Sequence, residues 1–431
     1  MLSVDEALQR VLECTRRRPA ARVPLADALG LVLAEDVASD IDSPPYDKSM
    51  VDGYAVRAAD IVDGHAELDV LEEIMAGAVA AKTVVAGTCS RIMTGAPIPD
   101  GADAVVMQER TEFVDKFAEV LPLTPGTSPA RGEGKISPPR RVRITDEPPR
   151  PGQNILRKGT SLRRGDVVLH SGRLIRPAEI GMLAEVGRAE ALAIPRSRVA
   201  VLSTGNELVD AGKTPAASQI RNSNGPMLLA AVRQAGAEPV DLGISRDEPG
   251  PLRERLAQGL KYDLLIVSGG VSTGVLDLVP GLLTALGVRE VFHRVRVKPG
   301  KPLWFGMRGD DVIGQTLVFG LPGNPVSSFV GFELFVKPAI ARSSGRETRA
   351  CHRMMPARLT SDFTHRGDRP TYYPGALETG EPTAVPAVTP LRWAGSADLR
   401  GLVDANALIV FPAGDRTFAA GEIINVEKLD E

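Results

Sequence analysis

The stretch DLLIVSGGVSTG (263–274) decides the fold. Its continuous apolar run, Leu264 to Val267, reads as a strand buried on both faces, and it breaks at once into a polar, glycine-rich turn. Three further stretches share the format: RVAVLSTGNEL (198–208), RVRVKPGKP (294–302) and LVFGLPGNP (317–325). In an open α/β sheet, ligands bind where loops leave the carboxyl ends of the strands. Four polar loops on one edge therefore describe a pocket for a polyanionic small molecule.

Outward from that edge, residues 198–343 alternate between the two periodicities. Strands are expected at 198–203, 238–243 and 263–267, and helices at 225–235, 248–259, 277–286 and from Pro325. This is the pattern of a parallel sheet covered by helices. After Arg346 the chain turns to short alternating runs with many Gly and Pro, which implies a small all-β domain. At the other end, Ser3 and Glu6 form a capping box ahead of the apolar stripe Val4, Ala7, Leu8, Val11 and Leu12. Pro19 and Pro24 end that helix, and a second periodic stretch runs from Leu25 to Ala34. SPPYDKSMVDGYAVR (43–57) then breaks any helix and leads into short strands up to about Val120. The segment Pro122–Pro151, with Gly126, Gly132, Gly134, Arg140, Arg141 and Arg143, reads as an extended hairpin arm or a loop with solvated arginines.

At 431 residues the chain is too long for one core, and roughly three or four domains are expected. With 43% hydrophobic and 24% charged residues the composition is that of a soluble globular protein. A net charge of −3 supplies no basic field, which argues against nucleic acid as the main partner. Three cysteines (Cys14, Cys89, Cys351) and five histidines are scattered, with no metal or disulfide spacing; His352 beside Cys351 is the one adjacency. No secretory signal or membrane-length apolar run is present, so the expected location is the cytoplasm.

The loops carry the chemistry. In LPGNPVSSF, Pro325 suits the first turn of a helix, Asn324 can cap it, and Gly323 lets the backbone approach a ligand; free N–H groups then favour an anion. A tight turn without ligand would explain the motif alone equally well. SGGVSTG, with Ser268, Gly269, Gly270 and Ser272, forms a second backbone nest ending at Asp277. In RVRVKPGKP a period of two places Arg294, Arg296 and Lys298 on one face and Val295 and Val297 on the other, with Lys301 following after a turn. An edge strand guarded by lysines is the alternative. Glu207, Asp247 and Asp277 sit at or just beyond strand ends. Each could be a helix cap, but three acids beside an anion pocket point to Mg²⁺.

These residues, in this order, resemble the MoeA/gephyrin E-domain family of molybdopterin molybdenumtransferases. DKSMVDGYAVR (47–57), RIMTGAPIPDGADAVVMQE (91–109), GQNI (152–155), LSTGNEL, SGGVSTGVLD, VKPGKP and GLPGNPVSS carry the resemblance, which covers essentially the whole chain. It implies an elongated four-domain protomer of α/β class: domain I at 1–43 plus 147–194, an inserted β-rich domain II at 44–146, a central mostly parallel α/β domain III at 195–343, and a small β-barrel domain IV at 344–431. It implies Mg²⁺-assisted insertion of molybdate into adenylylated molybdopterin with release of AMP. Carried over, Glu207, Asp247 and Asp277 position the metal and substrate phosphates. Lys298, Lys301 and Ser327 hold the molybdate oxyanion, and Arg369 and Ser396 fall near the positions that complete its site. Asp52 and Thr94 match functional positions of a domain that reaches the site from the other subunit of a homodimer. The molybdopterin adenylyltransferase is a further implied partner. Where the family continues GQNI with an arginine and ends the segment G-E-D, this chain has Leu156, Thr160 and Ser161, which motivates the alternative of a non-catalytic molybdopterin-binding paralogue or scaffold. An adenylyltransferase acting one step earlier rests on the related α/β domain alone.

Overall fold

The structure is a computed structural model that describes residues 1–114, 141–145, 147–271, 278–310, 314–347, 354–378 and 385–429. Ser272, Asp277, Arg140, Cys351 and His352 lie outside the described residues. The chain divides into two compact units: one of residues 1–35, 171–181 and 189–431, the other of 36–170 and 182–188.

The first unit contains a six-stranded sheet in the order Glu238–Ser245, Arg198–Thr204, Leu264–Ser268, Gly314–Leu321, Trp304–Asp310, Arg289–His293. The first four strands pair in parallel and the last two join antiparallel. Two antiparallel steps return Arg289–His293 to the direction of the parallel set. Its carboxyl end therefore lies at the same edge as theirs, and the 294–302 loop leaves there with the other three.

The apolar runs follow from burial on both faces. Val199, Val201, Leu264, Ile266, Leu317 and Phe319 enter one core with helix Asn224–Gln234. Their neighbours Ala200, Leu202, Leu265, Val267 and Val318 enter the other with helices Pro249–Gly259 and Leu278–Ala285. Successive strand residues point to opposite faces, so a two-sided sheet needs apolar residues at every position.

Helix Val4–Cys14 starts at the expected capping box. The Glu6 N–H donates to Ser3 Oγ at 3.2 Å, and the Ser3 N–H donates to Glu6 Oε2 at 2.7 Å. The helix buries Ala7 and Val11 in the same core as the sheet. Leu25–Ala34 does not continue as a helix: a 3₁₀ turn at Leu25–Asp27 gives way to a short strand at Val32–Leu33. Its apolar residues fill a small three-stranded sheet with Ala21–Pro24 and Glu190–Ile194. Here β-pairing to a distant segment overrides local periodicity. The C-terminal segment closes a five-stranded barrel whose core stacks Phe363 on Phe411, with ring centroids 4.1 Å apart.

The second unit is β-rich. Its six-stranded sheet includes Gly53–Val56, Thr88–Ile92 and Arg141–Ile144. Arg141 and Arg143 lie in that ladder, and their guanidinium groups pair with Asp69 and Glu67 at 3.0 and 2.7 Å. Within the proline-rich arm, Arg141–Ile144 is thus a strand with ion-paired arginines.

Candidate functional site

Two cavities open on the carboxyl edge of the parallel sheet. The first, about 750 Å³, is lined by the ends of three parallel strands: Thr204 and Glu207, Ser268 and Gly269, and Gly323 and Asn324. Gly270, Pro325 and Asp247 line it as well. The second, about 560 Å³, is bounded by the 298–302 loop, Ser327 and His365, Arg369, Thr371 and Ser396 of the C-terminal segment. Pro302, Pro322 and Asn324 line both, so the two spaces adjoin.

The first cavity is held by a side-chain lattice. Asn224 Nδ2 donates to Ser268 Oγ at 2.7 Å and to the Gly323 carbonyl at 2.8 Å, tying two strand-end loops together. Asn222 Oδ1 accepts from Ser203 Oγ at 3.1 Å and from the Gly225 N–H at 3.0 Å. Two buried polar atoms in this wall, Thr204 Oγ1 and Asn224 Oδ1, have no hydrogen-bond partner among the described residues. Buried polar groups are nearly always satisfied, so an orphaned pair in residues that line a cavity is an exception.

The glycines differ in what they do. Gly269 has φ +95°, and a Cβ there would lie 2.4 Å from the Thr204 carbonyl oxygen. The nest geometry itself demands glycine at that position. At Gly323 a Cβ would meet only Gly269 Cα at 3.9 Å, so nothing among the described residues excludes a methyl group. Asn324 occupies the N-cap of Pro325–Gly331 but makes no side-chain cap bond. Its Nδ2 instead donates to Ser396 Oγ at 2.9 Å, which leaves the Ser396 proton available to the second cavity.

In the 294–302 stretch, Val295 and Val297 are buried while Arg296, Lys298 and Lys301 are exposed, so the alternation of faces holds. A ladder does not form: the stretch makes isolated bridges from Val295 to Leu2 and from Lys298 to Thr371, and Arg294 has φ +73°. The twist carries Arg294 away, and it lines neither cavity among the described residues. Lys298 and Lys301 join Arg366 and Arg369 on the second cavity, whose described lining holds no carboxylate. Arg369 Nη1 is oriented by the Val297 carbonyl at 3.2 Å.

The acids lie elsewhere. Glu207 and Asp247 line the first cavity, and the Asp247 N–H donates to Asn206 Oδ1 at 3.2 Å. Among the described residues no cluster of three metal-ligating side chains occurs. Two carboxylates on a polar cavity are a donor set that suits Mg²⁺, which takes one or two protein carboxylates and completes its shell with substrate phosphates and water.

Asp52 and Thr94 belong to the second unit. Asp52 Oδ1 accepts from the Thr94 N–H at 2.7 Å and from Thr94 Oγ1 at 2.8 Å. These two bonds hold the exposed carboxyl below its ordinary range. Leu156 pairs with Lys48 through the backbone of a short ladder, and the Ser161 N–H donates to the Ser43 carbonyl. Sequence reasoning missed Thr204, Asn222, Asn224, His365 and Thr371. Asn224 carries a weak signal in its position opening a helix after a strand; the others carry none.

A two-sided, mostly parallel α/β sheet with a polar, nest-lined cavity and an adjoining cation-lined one defines the class: an α/β protein with room for an anionic small molecule at its strand ends. Family models match in chain order: the MoeA N-terminal region (domain I and II) over residues 2–187, a probable molybdopterin binding domain over 200–342, and the MoeA C-terminal region (domain IV) over 356–429. The molybdopterin molybdenumtransferases of Staphylococcus aureus and Bacillus subtilis are each 34% identical, over 99% of this chain and 95% and 93% of their own lengths. Two crystal structures of the molybdopterin biosynthesis MoeA protein from Pyrococcus horikoshii superpose with TM-scores of 0.77 and 0.71. They are 27% and 28% identical and cover 100% and 99% of this chain and 100% of each of those chains. The chain belongs to the MoeA family of molybdopterin molybdenumtransferases, enzymes of molybdenum cofactor biosynthesis.

Proposed function

We propose that this protein inserts molybdate into adenylylated molybdopterin with release of AMP, assisted by Mg²⁺. The observation that carries this reading is the pair of adjoining cavities with opposite character. The first has backbone nests, orphaned polar atoms and two carboxylates suited to a pterin-linked nucleotide. The second has four cations and hydroxyl donors suited to a tetrahedral oxyanion. The substrate brings its own dithiolene sulfurs, which agrees with the chain's poverty in cysteine and histidine.

Glu207, Asp247 and Asp277 would hold the Mg²⁺, which when bound would neutralise the pyrophosphate charge of the substrate. Lys298, Lys301, Ser327, Arg369 and Ser396 hold and orient the oxyanion against the dithiolene. The nests at 268–270 and 323–325 fix the pterin end, so that both reacting parts are positioned before reaction. Asp52, held ionised by Thr94, acts on the cavities of a second protomer in a cytoplasmic homodimer. The molybdopterin adenylyltransferase is the source of the substrate.

Purified protein supplied with adenylylated molybdopterin, molybdate and Mg²⁺ releases AMP and yields molybdenum cofactor. Binding of the adenylylated pterin without AMP release would establish the non-catalytic reading instead.

A further inference from the structure

The cation-lined cavity contains a buried histidine that its proposed oxyanion chemistry leaves unused. His365 is 3% exposed and lies on the strand Phe363–His365, packed against Phe411. Both ring nitrogens are engaged. Nδ1 is 2.8 Å from the Gly414 carbonyl, and Nε2 is 2.7 Å from Thr371 Oγ1. Thr371 is itself 3% exposed, and both residues line the cavity.

A carbonyl oxygen can only accept, so Nδ1 carries a proton in every state. What Nε2 does then decides what Thr371 can do. With neutral His365, Nε2 accepts the single Thr371 proton, and the hydroxyl has none to give the cavity. With protonated His365, Nε2–H donates to Thr371 Oγ1, and the Thr371 proton is free to donate to an anion.

We propose that His365 is a positioning residue: an oxyanion entering the cation-lined cavity is accompanied by one proton from solvent, taken up at His365, which turns the Thr371 hydroxyl into a donor. This rests on the reading of that cavity as the oxyanion chamber. The charged and titratable groups around the pair are Arg366, Asp368 and Arg369 on the following loop and Tyr373 beyond Thr371. Asp415, Arg416 and its partner Glu422 lie on the pairing side, and Lys298 and Lys301 on the loop across the cavity. An arriving dianion offsets the surplus of positive charge and makes room for one more.

The experiment is calorimetric titration of the full-length protein with molybdate and with sulfate, between about pH 6 and pH 8.5, in buffers of differing ionisation enthalpy. Uptake of about one proton per anion is expected wherever His365 is neutral in the free protein and protonated in the complex, with affinity falling about tenfold per pH unit across that range. Thr371→Val should lose the proton uptake and flatten the pH profile, and Thr371→Ser should restore both. His365→Gln, whose amide can donate to Thr371 at any pH, should bind with little pH dependence and secures the test if the valine variant does not fold. Wild-type proton uptake in Thr371→Val or His365→Gln overturns the proposal. Failure of the wild type to bind either anion, or a Lys301→Ala variant that binds like the wild type, refutes the chamber itself, and the proposal with it.

Discussion

Lys298 and Lys301 are exposed cations of RVRVKPGKP, the first placed by the alternation and the second by the turn that follows it. Lys298→Ala should weaken molybdate binding about 10- to 100-fold, the worth of one charged hydrogen bond, whereas Arg143→Ala, paired with Glu67 in the other unit, should leave it unchanged. Anion titration of both variants decides; equal effects would remove the assignment. Glu179 makes a second prediction. Its buried carboxylate accepts from the side chain of Arg176 at 2.8 and 3.0 Å and from Arg173 Nε at 2.8 Å, which holds it well below the carboxylate range. A depressed carboxyl contributes stability above its unfolded value and loses it as pH falls, here below about pH 4. Because both arginines are largely exposed, Glu179→Gln should cost only about 1 kcal/mol at neutral pH. Thermal denaturation should show wild type and variant converging on acidification. Burial pushes the Cys89 thiol up to about 12, so peptide mapping after alkylation near pH 8 should find it unmodified until the protein unfolds.

At the scale of elements, the four strand-end loops differ in why they hold their shapes. Gly269→Ala drives a Cβ into the Thr204 carbonyl and should destabilise the fold, by roughly 1–3 kcal/mol for the positive φ alone. Gly323→Ala makes only an ordinary van der Waals contact with Gly269 Cα and should unfold at the wild-type midpoint, yet bind adenylylated molybdopterin more weakly. Paired melting and binding measurements separate the two; an unchanged affinity in Gly323→Ala would mean that the ligand does not approach there. The strands and helices of 198–343 were legible because each apolar run faces a covered side of the sheet, so pattern and burial coincide. Leu25–Ala34 was not legible. Its apolar spacing suits a helix, but residues 190–194 offer a strand partner more than 150 positions away, which no local window contains. Asn324 was misjudged for a related reason: a cap bond is local, and its amide went to Ser396 instead.

The whole molecule holds separate cores in its two units, the α/β and barrel cores in one and the β-rich cores in the other. Calorimetry should accordingly show more than one unfolding transition, and a single two-state transition would argue against independent stability of the units. If Asp52 serves a second protomer, Asp52→Ala mixed with a Lys301→Ala chain should recover activity in the heterodimer, because one of its two sites is then intact. No recovery would place Asp52 and Lys301 in the same chain's site. The sequence by itself determined the parallel sheet, the closing barrel segment, the family and the cation-bearing loop, because strand periodicity and glycine turns are local and the motifs keep chain order. Only the tertiary structure decided that the loops frame two adjoining cavities, that Asn224 ties two of them, and that His365 stands behind Thr371. Those are contacts between residues far apart in the chain, and hydrogen-bond partnership across such distances is fixed by packing rather than by spacing.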